Sequence, residues 1–148
     1  MTLEAILAAF HLLAILTFVV FLSSQAALCR IEWLNAAVVE RLARLDVIYG
    51  VAGAVMIGSG LARLIWGVKG ASWYLSQPLF HIKITLVLAM VVLSFVPSAA
   101  FRRWRQNLRS NGALPPAAEV ARVRRLVMIQ SHVLPVVAVI AVFWARGW

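Results

Sequence analysis

The sequence predicts an all-α integral membrane protein, a four-helix bundle that runs up-down-up-down and has short loops. Hydrophobic residues make up 64% of the 148 residues and charged residues only 13%, a composition that water-soluble globular domains rarely have. Four apolar segments of roughly 20 residues, each long enough to cross a bilayer, would occupy more than half of the chain. We therefore expect residues 1–148 to form a single membrane domain with no separate soluble part.

The four predicted helices are the four apolar runs of the chain. The third begins at Pro78, which suits the first turn of a helix. Because an even number of crossings returns the chain to its starting side, we expect both termini on the same side of the membrane. The predicted helices cover about residues 3–28, 45–66, 78–95 and 126–144.

The distribution of basic residues predicts the orientation. Ten of the 14 Lys and Arg residues lie in two segments, after the first and after the third predicted helix. The positive-inside rule places these segments in the cytoplasm and both termini in the periplasm, if the membrane is a bacterial inner membrane. The ten are Arg30, Arg41, Arg44, Arg102, Arg103, Arg105, Arg109, Arg122, Arg124 and Arg125; the four near the opposite face are Arg63, Lys69, Lys83 and Arg146.

The net charge of +9 indicates lipid rather than nucleic acid as the charged partner. A nucleic-acid reader needs a folded aqueous surface, which this chain lacks, whereas arginines beside a bilayer meet anionic headgroups. The second Arg-rich segment contains a turn signature at Asn111-Gly112 and Pro115-Pro116 between two basic flanks, and we expect it to be a solvated loop facing the lipid surface. The second flank, Pro116 to Arg125, has the pattern of the start of the fourth helix. The lone Cys29 excludes an internal disulfide and a Cys-rich zinc site.

Histidines inside the predicted helices are the first candidates for function, because polar groups are costly within a bilayer. The chain has three, His11, His81 and His132. At about 1.5 Å per residue, His11 and His81 both lie in the outer half of the bilayer and could meet, while His132 lies in the inner half. Two imidazoles, or one with a weaker partner, can hold the iron of haem b between helices. A local hydrogen bond is the simpler interpretation of His132, and His11 is open to either interpretation.

Other polar residues have structural and functional interpretations. Lys83 lies about 200° around the helix from His81, so only one of the two can face a given site. Arg63 suits an interfacial anchor or, less simply, the binding of an anionic group such as a propionate. We expect Asp46, at the inner start of the second helix, to pair with Arg124 or Arg125.

The second predicted helix also has small residues at every fourth position. This stripe favours close packing against a neighbouring helix, although a flat cofactor against the same face would need the same pattern. The stripe follows Asp46 and consists of Gly50, Ala54, Gly58 and Ala62.

Nearly the whole chain resembles an uncharacterised group of small bacterial four-helix membrane proteins. The resemblance implies a fold but no function. The segments that carry it are Arg41-Leu42-Ala43-Arg44-Leu45-Asp46 with Tyr49-Gly50, Gly60 to Arg63, Lys69-Gly70-Ala71, Pro78-Leu79-Phe80, Lys83, and Ala121-Arg122-Val123-Arg124-Arg125.

More distantly, three features are similar to HemJ-type protoporphyrinogen oxidases, which are small membrane proteins that bind haem b. They are Phe10-His11-Leu12, Arg41-Leu42 followed by Gly50 and Gly60-Leu61, and Leu79-Phe80-His81-Ile82-Lys83. This resemblance implies that His11 is a haem ligand and that His81, Lys83 and Arg41 are further functional positions. The Asn-Glu-x-Pro motif of that family's fourth helix is replaced here by Gln130-Ser131-His132.

Three functions remain open at this stage. The first is a cytochrome-b-like oxidoreductase that binds haem b, with HemJ-like porphyrinogen oxidation or quinone-linked electron transfer as its role. The second is a small transporter in which His11, His81 and Lys83 line a polar path. The third is a structural or assembly protein without a cofactor. Quinone, porphyrin and a second copy of the chain are the candidate partners besides lipid.

Overall fold

The computed structural model describes residues 2–67 and 71–145, and within them it is helical without strands. The four long helices are long and apolar enough to cross a membrane, which confirms the predicted all-α membrane bundle. Lys69 and Arg146, two of the cations counted above, lie outside the described residues. The elements are α1 (Thr2–Leu28), a 3-10 turn (Ile31–Trp33), α2 (Ala36–Trp66), the short α3 (Ala71–Leu75), α4 (Pro78–Asn111) and α5 (Ala117–Ala145).

The long helices form a ring in the order α1, α2, α4 and α5. Helix α1 packs against α2 and α5, and α4 packs against the same two helices, so α1 and α4 are diagonal to each other. The antiparallel pair α1 and α2 has a regular register in which Phe18 packs on Gly53 and Gln25 meets Asp46. This arrangement is the predicted up-down-up-down bundle.

Three of the helices extend well beyond the predicted apolar runs, and all three extensions are at the same end of the bundle. Most of the two arginine segments predicted as loops is therefore helix. Hydropathy marks only the part of a helix that lies in hydrocarbon, whereas arginine is a good helix former and continues the helix into water. Helix α2 begins at Ala36 rather than near residue 45, and α4 ends at Asn111 rather than near residue 95. Helix α5 begins at Ala117, ahead of the apolar run near residue 126 and in agreement with the helix start indicated at Pro116 to Arg125.

Local signals explain where the extended helices begin and end. The Asn35 side chain accepts a hydrogen bond from the Val38 amide at 3.0 Å and so caps the start of α2. Helix α4 is followed by the capping residue Gly112, whose φ of 71° and ψ of 8° are left-handed and whose amide donates to the Leu108 carbonyl. This confirms the turn predicted at Asn111-Gly112.

We call the end of the bundle where α1 ends and α5 begins the basic end, and the opposite end, where Tyr74, Phe80 and Trp144 pack together, the aromatic end. The 34 residues of α4 span about 51 Å, while the hydrocarbon of a bilayer is about 30 Å thick. The arginines of α4 lie in its last turns, so the excess length projects from the membrane at the basic end.

Large, fully buried side chains are found at this basic end. Phe101 and Trp104 are fully buried, and their rings meet edge to face with centroids 5.4 Å apart. By contrast, many large apolar side chains along the spans are exposed, as lipid contact requires. The other fully buried side chains near the basic end include Cys29, Val39, Leu42, Val120 and Val127.

Ion pairs neutralise part of the charge at the basic end. Glu40 of α2 binds Arg109 of α4 at 2.6 Å and lies 3.1 Å from the Arg105 Nε. Glu119 of α5 pairs with Arg103 and also accepts from the Trp104 Nε1 at 2.8 Å. Such exposed pairs contribute little individually, but they connect α2 and α5 to the extension of α4.

The lone thiol is chemically silent at neutral pH. Cys29 is fully buried just after α1, and burial raises the pKa of its thiol to about 11, against an opposing effect of the Arg124 charge. A thiol in this state is a poor nucleophile, because only the thiolate reacts. A cysteine introduced at the surface can therefore be labelled without interference.

Candidate functional site

The buried face of α1 places polar groups at two depths in the bundle. Its buried residues are His11, Ala14, Phe18, Leu22 and Gln25, which recur every three or four positions and so share one face. The stripe is polar at both ends and apolar between them. Two separate sites result, a His11 site towards the aromatic end and an Asp46 site towards the basic end.

In the His11 site, the hydrogen bonds define which ring nitrogen is free. The His11 Nδ1 lies 2.7 Å from the Ser59 Oγ, and the Ser59 hydroxyl donates to the Met56 carbonyl at 3.0 Å. Because a hydroxyl has one proton, the Ser59 oxygen is left to accept from the ring, and we assign the ring proton to Nδ1. The Nε2 atom then has an unshared electron pair.

The ring of His11 packs directly on the backbone of α2 at Gly60. A Cβ atom at this position would lie 3.2 Å from the His11 Cε1, so only glycine allows the ring its present position without displacement. Gly53 makes a similar approach to Phe18, where a Cβ would lie 3.2 Å from the ring. These two glycines are the close-packing positions of α2.

The stripe of small residues predicted to pack against a neighbouring helix does not do so in this chain. Gly50 and Gly58 have nothing within 4 Å of the position of a Cβ atom, and both are exposed. The prediction for Gly58 was wrong because periodicity identifies a face of a helix but not the direction in which it points. The inward face includes Gly53 and Gly60 instead.

Two cations lie near His11. The charges of Lys83 on α4 and Arg63 on α2 both act on the His11 ring. The Lys83 ammonium group also lies 5.2 Å from the centre of the Trp144 ring, a cation–π contact that holds it towards α5. The His11 site thus combines one buried imidazole with two positive groups, which suits an anionic ligand.

His81 lies apart from this site. Its side chain is exposed, and its Nε2 lies 2.8 Å from the Leu75 carbonyl oxygen, where it closes the turn between α3 and α4. No contact between His81 and His11 occurs among the described residues. Lys83, about 200° around α4 from His81, is the member of the pair whose charge acts on His11.

Arg41 lies near the other end of α2. Its side chain is exposed, and it is about 27 Å along the helix from Ser59 at 1.5 Å per residue. Arg41 and His11 therefore do not share a site within one chain.

The Asp46 site is formed by side chains from all four long helices. The Asp46 Oδ1 accepts hydrogen bonds from the Ser98 Oγ at 2.7 Å and from the Gln25 Nε2 at 3.4 Å. One turn further along α2, the Tyr49 hydroxyl donates to the Gln130 Oε1 at 2.7 Å and so crosses the bundle from α2 to α5. All of these residues except the half-buried Ser98 are buried.

The expected ion pair of Asp46 with Arg124 or Arg125 is absent from the described residues. Asp46 lies on the buried face of α2, so its carboxyl group points into the bundle and not towards the chain segment that carries these arginines. The charge of Arg124 acts on Cys29 instead. The prediction was wrong because it relied on depth alone and ignored which face of α2 is buried.

Sequence reasoning also missed both hydrogen-bond partners of Asp46, Gln25 and Ser98, and the neighbouring Tyr49. Gln25 shares its helix face with His11, a signal that the periodicity of α1 contained.

His132 is exposed, and its Nδ1 lies 2.7 Å from the Met128 carbonyl oxygen of the same helix, which agrees with the expected local hydrogen bond.

Comparison with known proteins identifies the family. A family model described as "Predicted membrane protein (DUF2214)" matches residues 3–148. No curated protein and no solved structure matches the chain. The matched range includes the His11 site, the Asp46 site and all four candidate spans, so the chain belongs to the DUF2214 family of predicted membrane proteins.

Proposed function

We propose that this membrane protein binds haem b at the His11 site and has a redox role, in HemJ-like porphyrinogen oxidation or in quinone-linked electron transfer. The observation that carries the proposal is the state of the His11 ring. Nδ1 donates to Ser59, which leaves the unshared electron pair on Nε2. Histidines that bind metals commonly donate their second N–H in this way, because it orients the ring and makes the ligand more basic.

The surroundings of His11 also fit a haem better than a bare metal ion. The described residues contain no group of three or more His, Cys, Asp or Glu side chains that could hold a metal ion. A porphyrin supplies four nitrogens itself and needs only axial ligands from the protein. Lys83 is one of the two cations whose charge acts on His11, while the bond of His81 to the Leu75 carbonyl leaves His81 outside the site.

The cations of the site have a separate task in this proposal. Arg63 and Lys83 would hold the propionate groups of the haem, since guanidinium and ammonium groups bind carboxylates well. Trp144 keeps the Lys83 ammonium group in place through its ring. When bound, the haem supplies one-electron chemistry, and the residues of the chain bind it, orient it and exclude water.

Replacing His11 with alanine is expected to abolish the Soret band of the purified protein or shift it strongly, because the residue that would bind the haem iron is lost. The matched control is His132→Ala, which removes an exposed histidine that bonds only to its own helix and is expected to leave the spectrum unchanged. Both variants are purified from cells supplied with haem precursor, and their absorption spectra are compared at equal protein concentration.

An unchanged Soret band in His11→Ala would contradict the assignment of His11. A wild-type protein that shows no Soret band after incubation with haemin would contradict haem binding altogether. That second outcome favours the functions without a cofactor, a small transporter or an assembly protein.

We also propose that the basic end faces the cytoplasm of a bacterial inner membrane and that both termini are periplasmic. Arg103, Arg105 and Arg109 already pair with acidic residues in the described chain. The other arginines of this end carry the excess positive charge on which the positive-inside rule is based. Anionic lipid headgroups are their proposed partners.

Cysteine labelling is expected to confirm this orientation. Gln106→Cys places a thiol on the exposed extension of α4 and Ser72→Cys places one at the aromatic end, while Cys29 stays silent. In intact cells, a membrane-impermeant maleimide is expected to label Ser72→Cys and not Gln106→Cys. The reverse pattern would invert the proposed topology.

A further inference from the structure

We propose that Asp46 is a proton-binding site, a carboxyl group that takes up and releases a proton through the basic end of the bundle. Asp46 is the only aspartate of the chain, and its side chain is buried between α1 and α4. Acidic groups within membrane-spanning helices are costly, and they commonly mark proton relays or ion sites.

The charge of Asp46 is not neutralised by an ion pair. The described residues place no lysine, arginine or histidine nitrogen within 4.0 Å of its carboxyl oxygens, although other acidic residues, Glu40 and Glu119, have such partners. Arg102 is the cation whose charge acts on Asp46, but its side chain is exposed and its Nε donates to the Ser98 carbonyl at 3.2 Å.

Neutral groups surround the carboxyl group on the remaining sides. They are Gln25 of α1, Tyr49 of α2, Ser98 of α4 and, one turn deeper, Gln130 of α5. Burial disfavours the charged carboxylate, whereas the two hydrogen bonds and the nearby Arg102 favour it. The protonation of Asp46 is therefore set by the balance between its burial and these groups.

The hydrogen-bonding pattern fits a proton rather than a metal cation. A hard cation needs about six oxygen ligands, but Ser98 and Gln25 both direct hydrogens at Asp46 and not lone pairs. Both contacts are to Oδ1, and Oδ2 receives no hydrogen bond from the described residues. Oδ2 is therefore the atom that can accept a proton.

The polar contacts extend from the basic end and stop at Tyr49. Beyond it, the Phe18 ring packs on the Tyr49 ring with centroids 4.6 Å apart, and Ala52, Met90 and Val137 are buried towards the aromatic end. This apolar layer separates Asp46 from the His11 site. In the proposed exchange, a proton from water at the basic end binds to the carboxylate and forms the neutral acid. The proton returns to water by the same route.

Isotope-edited infrared spectroscopy can test this proposal on the full chain in lipid nanodiscs without added haem. Because Asp46 is the only aspartate, labelling aspartate with ¹³C at the side-chain carboxyl marks one group. We expect its carboxylate and neutral-acid bands to interconvert reversibly between about pH 4 and pH 9, a range that includes ordinary and strongly perturbed carboxyl groups. Asp46→Asn is expected to remove both bands.

Two variants test whether the surroundings control the exchange. Ser98→Ala and Arg102→Gln each remove a group that stabilises the charged form, so each is expected to move the transition to higher pH. The matched control is Arg122→Gln, another exposed arginine of the basic end, whose charge acts on Glu119 instead; we expect no shift.

A labelled carboxyl group that keeps one form over the whole range would overturn the proposal. So would a transition that neither Ser98→Ala nor Arg102→Gln moves. A transition that shifts with sodium concentration at constant ionic strength would show a metal-cation site instead of a proton site. These readouts need no haem, so they are independent of the proposed haem function.

Discussion

Replacing Trp104 with alanine is expected to lower the free energy of unfolding by about 3–5 kcal/mol, the range for deleting a large buried aromatic side chain. Trp104 is 1% exposed, packs on Phe101 and donates its Nε1 hydrogen to Glu119. It lies on the extension of α4 beyond the hydrocarbon, where unfolding exposes the indole to water rather than to lipid. The measurement is denaturant titration in detergent micelles, followed by circular dichroism.

The matched control for this prediction is Trp33→Ala. Trp33 belongs to the same end of the bundle, but it is 52% exposed and its ring contacts the Arg30 guanidinium at 5.1 Å. Losing an exposed cation–π contact costs at most about 1 kcal/mol. Equal losses in the two variants would show that the basic end has no packed core of its own.

Replacing Gly60 with leucine is expected to destabilise the folded protein by about 1–3 kcal/mol, the usual effect of overpacking. Even the Cβ atom would approach the His11 Cε1 to 3.2 Å, so the ring must move and its bond to Ser59 is strained or lost. If haem binds through His11, the ratio of haem to protein falls as well. The measurements are the melting temperature of the haem-free protein and that ratio.

Gly58→Leu is the control for Gly60→Leu, two residues away on the same helix. Its Cβ would meet nothing within 4 Å, and leucine is a better helix former than glycine by up to about 1 kcal/mol. We expect an unchanged or higher melting temperature. A clear loss of stability in Gly58→Leu would mean that the exposed stripe is covered by another molecule, such as a second copy of the chain.

The four spans could be predicted because the thickness of hydrocarbon imposes a length and an apolar composition on each of them. The helical extensions could not be predicted in the same way. Outside the hydrocarbon, the buried face of a helix consists of a few apolar residues, such as Val39 and Leu42, between arginines. The mean hydropathy of such a segment is low, so it does not indicate a buried helix. The capping residue Asn35 is the local signal that marks the start of α2, and the prediction near residue 45 did not use it.

The candidate sites were predictable only in part, for a geometric reason. His11 stood out because it is an isolated polar residue in an apolar helix. Its partner Ser59 did not, since the inward face of α2 is decided by the neighbouring helices and not by α2 itself. The same gap explains why Asp46 was assigned to arginines of similar depth when its partners are Gln25 and Ser98.

We expect the stability of the packed core at the basic end to depend on temperature as it does in a water-soluble domain. Exposing its apolar side chains to water on unfolding raises the heat capacity, and hydrophobic stabilisation of this kind weakens on cooling. Helix contacts within lipid lack that driving force and do not weaken for the same reason. We therefore expect cooling to loosen the region around Trp104 before the spans separate, so that the two ends of one bundle have different temperatures of greatest stability.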